Sequence, residues 1–319
     1  MSRLLAGFGP VPPEVMLGPA IGEDACAIDV PGGVLVVATD PITLTGRDVG
    51  RLAVTVNAND VAVTGARPRW FLAAVLLPPG STEQVAESLF AQMQRSLNES
   101  DIVLVGGHTE VTKAVNQPVV VGQMLGWAED GRVVKTGGVR TGDVVFQIGR
   151  APIEGAAVLA EEGAALLGAV DPVLLGAAHG ALDNPGISVV SVALLATRLG
   201  ATAMHDPTEG GLAAGLHEMA AASGVRLRVD RSRVLWWGPA IALCQAVGAD
   251  PWATLASGTL LAAFDPSTVP NVERAFSARK YEANVIAVAE PGSGVIDIGA
   301  DPIPWPERDE LSRVLGDLA

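Results

Sequence analysis

Strand-like and helix-like segments alternate along almost the whole chain, and this alternation constrains the fold more than any other feature. In the first half, Val34–Ala38 is a short β-rich run, and Arg51–Thr64 carries Leu52, Val56 and Val63 on one helical side. Trp70–Leu77 then reads as a buried strand stopped by Pro78-Pro79-Gly80. Ser81-Thr82-Glu83-Gln84 resembles a capping box opening a helix whose face is Val85, Leu89, Met93 and Leu97. Strands are expected at Asp101–Val105, Val119–Leu125 and Asp143–Ile148. The second half continues with helices at Glu154–Glu162, Ser188–Leu199 and Leu212–Ala222, and strands at Ala201–Met204, Val225–Val229, Thr259–Phe264 and Asn284–Ala289. The pattern predicts an α/β (α+β) protein.

At ~100–200 residues per domain, 319 residues predict two domains. The texture changes at Gly149-Arg150-Ala151-Pro152, so the expected domains are 1–149 and 150–319. A formal charge of −14 argues against a nucleic-acid or anionic-membrane surface, because phosphates repel it. No apolar run reaches the ~18 residues of a membrane helix. The apolar start of the chain is broken by Pro10, Pro12 and Pro13, unlike a signal peptide. Two cysteines, Cys26 and Cys244, make neither a disulfide framework nor a metal cluster. The reading is a soluble, cytoplasmic protein.

Familiar nucleotide and hydrolase signatures are missing: no Walker loop, no G-x-G-x-x-G, no G-x-S-x-G and no H-E-x-x-H. Instead, acids stand beside glycines or small residues at expected strand ends and turns. They are Gly22-Glu23-Asp24-Ala25, Thr39-Asp40, Asn57-Ala58-Asn59-Asp60, Gly106-Gly107-His108-Thr109-Glu110 and His205-Asp206-Pro207-Thr208-Glu209-Gly210-Gly211. Carboxylates gathered in one cleft repel each other and any phosphate, and Mg²⁺ relieves that repulsion. Gly-Gly turns permit close backbone approach and aim N–H groups at an anion. The set suits a Mg²⁺–nucleotide site without a Walker lysine. Each acidic turn alone reads first as a cap or a solvated turn, and the metal–nucleotide reading rests on their number and order.

The succession GEDA, ATDP, NANDVAVTGARP, GGHTEVT and DPTEGGL resembles the superfamily of aminoimidazole ribonucleotide synthetase (PurM), hydrogenase maturation factor HypE, thiamine-monophosphate kinase (ThiL) and selenophosphate synthetase (SelD). The wording is most similar to HypE-like, AIR synthase-related proteins. The resemblance implies a two-domain PurM-like architecture. Its N-terminal domain would bind ATP and dimerise through a β-barrel-like core flanked by helices, and an α/β domain would follow. It implies ATP and Mg²⁺ as cofactors, a small-molecule acceptor, a homodimer and a maturation-protein partner. Asp24, Asp40 and Asp60 match acids that hold metal and phosphates. Thr39, Asn59, Gly106, Gly107 and Thr109 fall near the nucleotide. Asp206, Thr208, Glu209, Gly210 and Gly211 match the second-domain motif facing the cleft. Asp60, His108, Asp206 and Glu209 are the expected catalytic set.

The chain also departs from individual members. The working thiol of HypE is a C-terminal cysteine, whereas this sequence ends Leu315-Gly316-Asp317-Leu318-Ala319, a departure that leaves thiocarbamate chemistry an open question for this chain. His108 after Gly-Gly is similar to selenophosphate synthetase, but no Cys-x-x-Lys segment lies near the start. With only Lys113, Lys135 and Lys280 present, arginines such as Arg67 and Arg140 are the expected phosphate partners. Three readings stay open: an ATP-dependent phosphoryl-transfer enzyme acting on an acyl or amide-like substrate, a non-catalytic nucleotide-binding scaffold, and thiamine-monophosphate kinase. Cys26 and Cys244 read as core residues, and His217 as surface or core. Trp236-Trp237 read either as a ligand platform or as a loop anchor beside Gly238-Pro239.

Overall fold

The computed structural model describes residues 12–18, 23–43, 45, 47–128 and 130–316. Gly22 of the first acidic motif, residues 1–11 with Pro10, and residues 317–319 lie outside the described residues. The fold is mixed α/β and divides into two compact units, Met1–Val133 and Val134–Ala319.

The first unit is built on a six-stranded sheet in the order β1-β2-β3-β6-β4-β5. Its strands are β1 Val15–Leu17, β2 Cys26–Val30, β3 Gly33–Ile42, β4 Arg67–Leu77, β5 Val103–Val111 and β6 Val119–Ala128. Neighbours are antiparallel except the parallel pair β4–β5. Helix α1 (Val49–Val63) follows β3, and α2 (Glu83–Glu99) follows β4. Almost all of α1 is buried, because Ala, Val and Gly let it lie close to the sheet. Leu89, Met93 and Leu97 form the buried face of α2, as their spacing predicts, while Val85 stays 41% exposed. The cap falls one residue later than expected: Thr82 Oγ1 accepts from the Val85 amide. Ser81 instead donates its hydroxyl to the Pro78 carbonyl, closing the preceding turn.

The sheet is open rather than a closed barrel within one chain, with β1 and β5 as its edges. Strand β5 also corrects the expectation of a turn at Gly106-Gly107. It runs straight through both glycines to Val111, because β4 supplies parallel partners from Trp70 to Leu77. Gly107 takes φ +153, and a Cβ there would stand 2.2 Å from the Ala73 carbonyl oxygen.

The second unit carries another six-stranded sheet, β12-β9-β11-β7-β10-β8. Its strands are β7 Val144–Ile148, β8 Ala203–His205, β9 Arg226–Val229, β10 Leu260–Phe264, β11 Ala283–Glu290 and β12 Gly294–Asp297. Helices α3 (Ile153–Glu162), α4 (Pro172–His179), α5 (Val190–Arg198), α6 (Gly211–Ser223), α7 (Gly238–Val247), α8 (Val269–Ala278) and α9 (Glu310–Gly316) complete it. β7 lies between β10 and β11, so the segment before Gly149 belongs to this unit. The division therefore falls at Val133/Val134, upstream of the texture change at Gly149. Thr136 reinforces it by donating to the Met204 carbonyl. Phe146, Phe264 and Phe276 meet edge to face in the core, with ring centroids 5.6–6.3 Å apart. No single helix among the described residues is long and apolar enough to cross a membrane.

Candidate functional site

In the first unit, the register of β3 and the overlying α1 set where the candidate acids stand. Cys26 pairs with Val37, so Asp24, two residues before it, is level with Thr39, and Asp40 follows. Thr39 Oγ1 donates to the Gly122 carbonyl at 2.8 Å. Asn57 on α1 fixes the main chain of Asp40 from above. Its Oδ1 accepts the Asp40 amide at 2.9 Å, and its Nδ2 donates to the Asp40 carbonyl at 3.2 Å and to Ala53 at 2.9 Å. Asn57 is fully buried, and this satisfied amide explains how such a polar group is tolerated there.

Gly122 makes the clamp sterically feasible. A Cβ on it would lie 2.4 Å from Asn57 Nδ2. Gly126, four residues on, likewise accommodates Val61 Cγ1. Asn59 and Asp60 therefore ride on a helix pressed onto β6, and both are buried, Asp60 at 6% exposure. Asn57 and Asp60 are one helical turn apart and share a face. In the sequence Asn57 stands only as the first residue of the Asn57-Ala58-Asn59-Asp60 motif; the structure makes it the tie between helix and strand.

A single cross-strand row links Asp40 to the glycine motif: Asp40 pairs with Gly122, Gly122 with Ala73, and Ala73 with Gly107. Beyond Asp40, the row holds nothing larger than a methyl group. Three strand spacings of ~4.8 Å put Asp40 and Gly107 roughly 14 Å apart. Gly106, His108, Thr109 and Glu110 accordingly stand away from Asp24, Asp40 and Asp60 within one chain. All of β5 is exposed. His108 Nε2 and Glu110 Oε2 are 3.5 Å apart on the same strand face, both largely solvated.

In the second unit, β8 delivers His205 and Asp206 to the start of a tight turn into α6. Both are buried, at 3% and 2% exposure. His205 Nε2 meets Glu218 Oε2 at 2.7 Å, a partner on α6 that the sequence reading did not identify. The turn is held by the Thr208 carbonyl, which accepts from the amides of Gly211 and Ala256. Thr208 is half-buried and Glu209 exposed.

The two glycines are needed here for geometry. Gly210 and Gly211 take φ +76 and +63, and a Cβ on Gly211 would lie 2.6 Å from the carbonyl oxygens of Trp252 and Thr254. Asp309 supplies the remaining support. Its Oδ2 accepts the Gly210 amide and its Oδ1 the Leu311 amide, each at 2.8 Å. Burial, with Glu209 and Glu310 nearby, pushes its carboxyl up to about 6 despite those two hydrogen bonds.

His217 proves structural. Nε2 meets the Ile303 carbonyl at 2.8 Å, and the ring stacks on Trp305. Burial holds its pKa below the usual imidazole value. Trp236 meets Trp252 edge to face, and Arg231 lies 5.4 Å from the Trp252 ring centre, so Trp236 is the loop anchor. Cys244 is a core residue whose thiol burial pushes up to about 11.

Residues 22–128 match the family described as AIR synthase related protein, N-terminal domain, and residues 140–298 match its C-terminal domain. The chain belongs to the AIR synthase related family, a PurM-like α/β fold. Among curated relatives, it is 28% identical over 274 residues to carbamoyl dehydratase HypE of Rhizobium leguminosarum bv. viciae, covering 84% of this chain and 76% of that protein. Its fold is similar to a crystal structure of HypE in complex with ATP, at TM-score 0.73, 22% identity, and coverage of 98% of this chain and 96% of the other. It is also similar to a chain of the HypE–HypF complex, at TM-score 0.75, 20% identity, and coverage of 88% and 93%.

Proposed function

We propose that the protein binds Mg-ATP and transfers a phosphoryl group to an oxygen of a small acyl or amide-like substrate. The observation that carries this reading is the Asn57 clamp, which fixes Asp40, the residue after Thr39, beneath the helix bearing Asp60, while Thr39 itself is level with Asp24. Membership of the AIR synthase related family and the likeness to an ATP-bound HypE support it.

The donor set fits a hard divalent ion. Asp24, Asp40 and Asp60 offer only carboxylate oxygens, and Asp60 is nearly buried, where a bound cation offsets the cost of its charge. These three acids would hold Mg²⁺, and the bound ion would neutralise phosphate charge. Phosphoryl transfer asks mainly for positioning. The clamp holds Asp40, the strand register holds Thr39 and Asp24, and the paired glycines hold Asp206 and Glu209 at the head of α6. His108, Gly106, Gly107 and Thr109 are proposed to contact the nucleotide. Their strand is an exposed edge, with Val103 and Val105 at 59% and 52% exposure. An open edge of this kind invites pairing with a second copy, and we assign it to a homodimer. The HypE–HypF structure supports a partner protein of a maturation system.

Calorimetry with ATP, with and without Mg²⁺, on the wild type and Asp60→Asn tests the site. The expected result is Mg-dependent binding that Asp60→Asn abolishes; unchanged binding removes the assignment. ADP release on addition of carbamoyl or acyl acceptors tests turnover, and ATP binding without turnover with any of them favours a scaffold.

A further inference from the structure

A cavity in the second unit uses none of the candidate site residues discussed above. It has a volume of about 560 Å³ and lies where the chain leaves β7 and enters α3. That volume is within the ~300–1,000 Å³ of small-molecule sites. Ile148, Ile153, Val189 and Val192 give it apolar lining, while Trp237 and Tyr281 add aromatic rings. Both rings are anchored. The Trp237 amide donates to the Ala151 carbonyl at 2.8 Å, and Tyr281 meets Phe276 edge to face.

One polar feature stands out against this lining, beside the mostly buried ring of Trp237, which is 9% exposed. Lys280 sits just past α8 at φ +61, a left-handed position where glycine costs least. Its ammonium has no ion pair or hydrogen bond among the described residues. The other strong charges cancel, since Arg150 and Glu282 form a two-point pair at 2.6 and 3.0 Å. The lining therefore combines apolar surface, two aromatic rings and one uncompensated positive charge.

We propose that this cavity is a binding site for a flat, mainly apolar ring compound carrying one anionic group. The ring lies against Trp237 and the aliphatic lining, and the anion meets Lys280. The site is independent of the nucleotide reading.

Calorimetry on the full chain with 2-naphthoate and its neutral counterpart 2-naphthalenemethanol tests it. One saturable site is expected, preferring naphthoate by about tenfold, the scale of one charge-assisted hydrogen bond. Lys280→Gln, an exposed position, should erase the preference by weakening naphthoate alone. Ser188→Trp, also exposed at the cavity wall, should block both compounds without disturbing the core. Circular dichroism melts verify that both variants are folded. The proposal is overturned by absence of saturable naphthoate binding to the wild type, or by binding that both folded variants leave unchanged.

Discussion

Asp309 accepts the backbone amide of Gly210 at 2.8 Å, so a carboxylate just before the last described helix supports a turn 99 residues earlier in the chain. The same carboxylate holds Leu311, and His217 grips Ile303 in the same segment. The segment after β12 thus braces the head of α6 rather than trailing from it.

Asp309→Ala should destabilise the protein by about 1–3 kcal/mol, since it leaves the buried Gly210 amide without an acceptor. The charge adds a pH dependence. The folded pKa of about 6 exceeds the ordinary 3.8, so the folded state binds more protons between these values. Stability from this group is present below pH 4 and lost as pH rises to 6, by about 2–3 kcal/mol. Urea titrations should show that the stability difference between wild type and Asp309→Asn shifts against the wild type across that window, whereas a constant difference contradicts the buried charge.

Asn57→Asp keeps the shape of the clamp but sets a carboxylate against the carbonyls of Asp40 and Ala53. A cost of at least about 3 kcal/mol is expected, because two donated bonds are lost and a charge is buried. Chemical denaturation measures it. Any Mg-ATP affinity should fall at the same time, with Asp40 no longer held.

Gly122→Ala should cost roughly 2–4 kcal/mol, as its Cβ would overlap Asn57 and crowd Phe71 at 2.9 Å. Gly168→Ala is the control: nothing lies within 4 Å of a Cβ there. Its melting temperature should stay close to wild type.

Thiol labelling at pH 8 separates the two cysteines. Cys244 is fully buried with its thiol pushed up to about 11, so it should stay unmodified until the chain unfolds. A Cys26→Ser chain should therefore take up no reagent in buffer and one equivalent in denaturant.

Val105→Lys addresses the exposed edge. Lysine on an edge strand discourages pairing with another chain. Sedimentation velocity should show a dimeric wild type and a monomeric variant; identical profiles would place any dimer contact elsewhere.

The sequence by itself determined the elements, because side-chain periodicity reports which faces must leave water. The face of α2 at Leu89, Met93 and Leu97 and the run Thr259–Phe264 were legible in this way. It also supplied the acidic motifs and the family resemblance they carry. Only the tertiary structure decided where β7 belongs, since strand pairing depends on partners more than a hundred residues away. It turned Gly106-Gly107 from a turn into a strand, because β4 was there to pair with it. It also gave Asn57, Glu218 and Asp309 their partners. Hydrogen bonds across such separations leave no periodic trace, so their geometry exists only once the chain has folded.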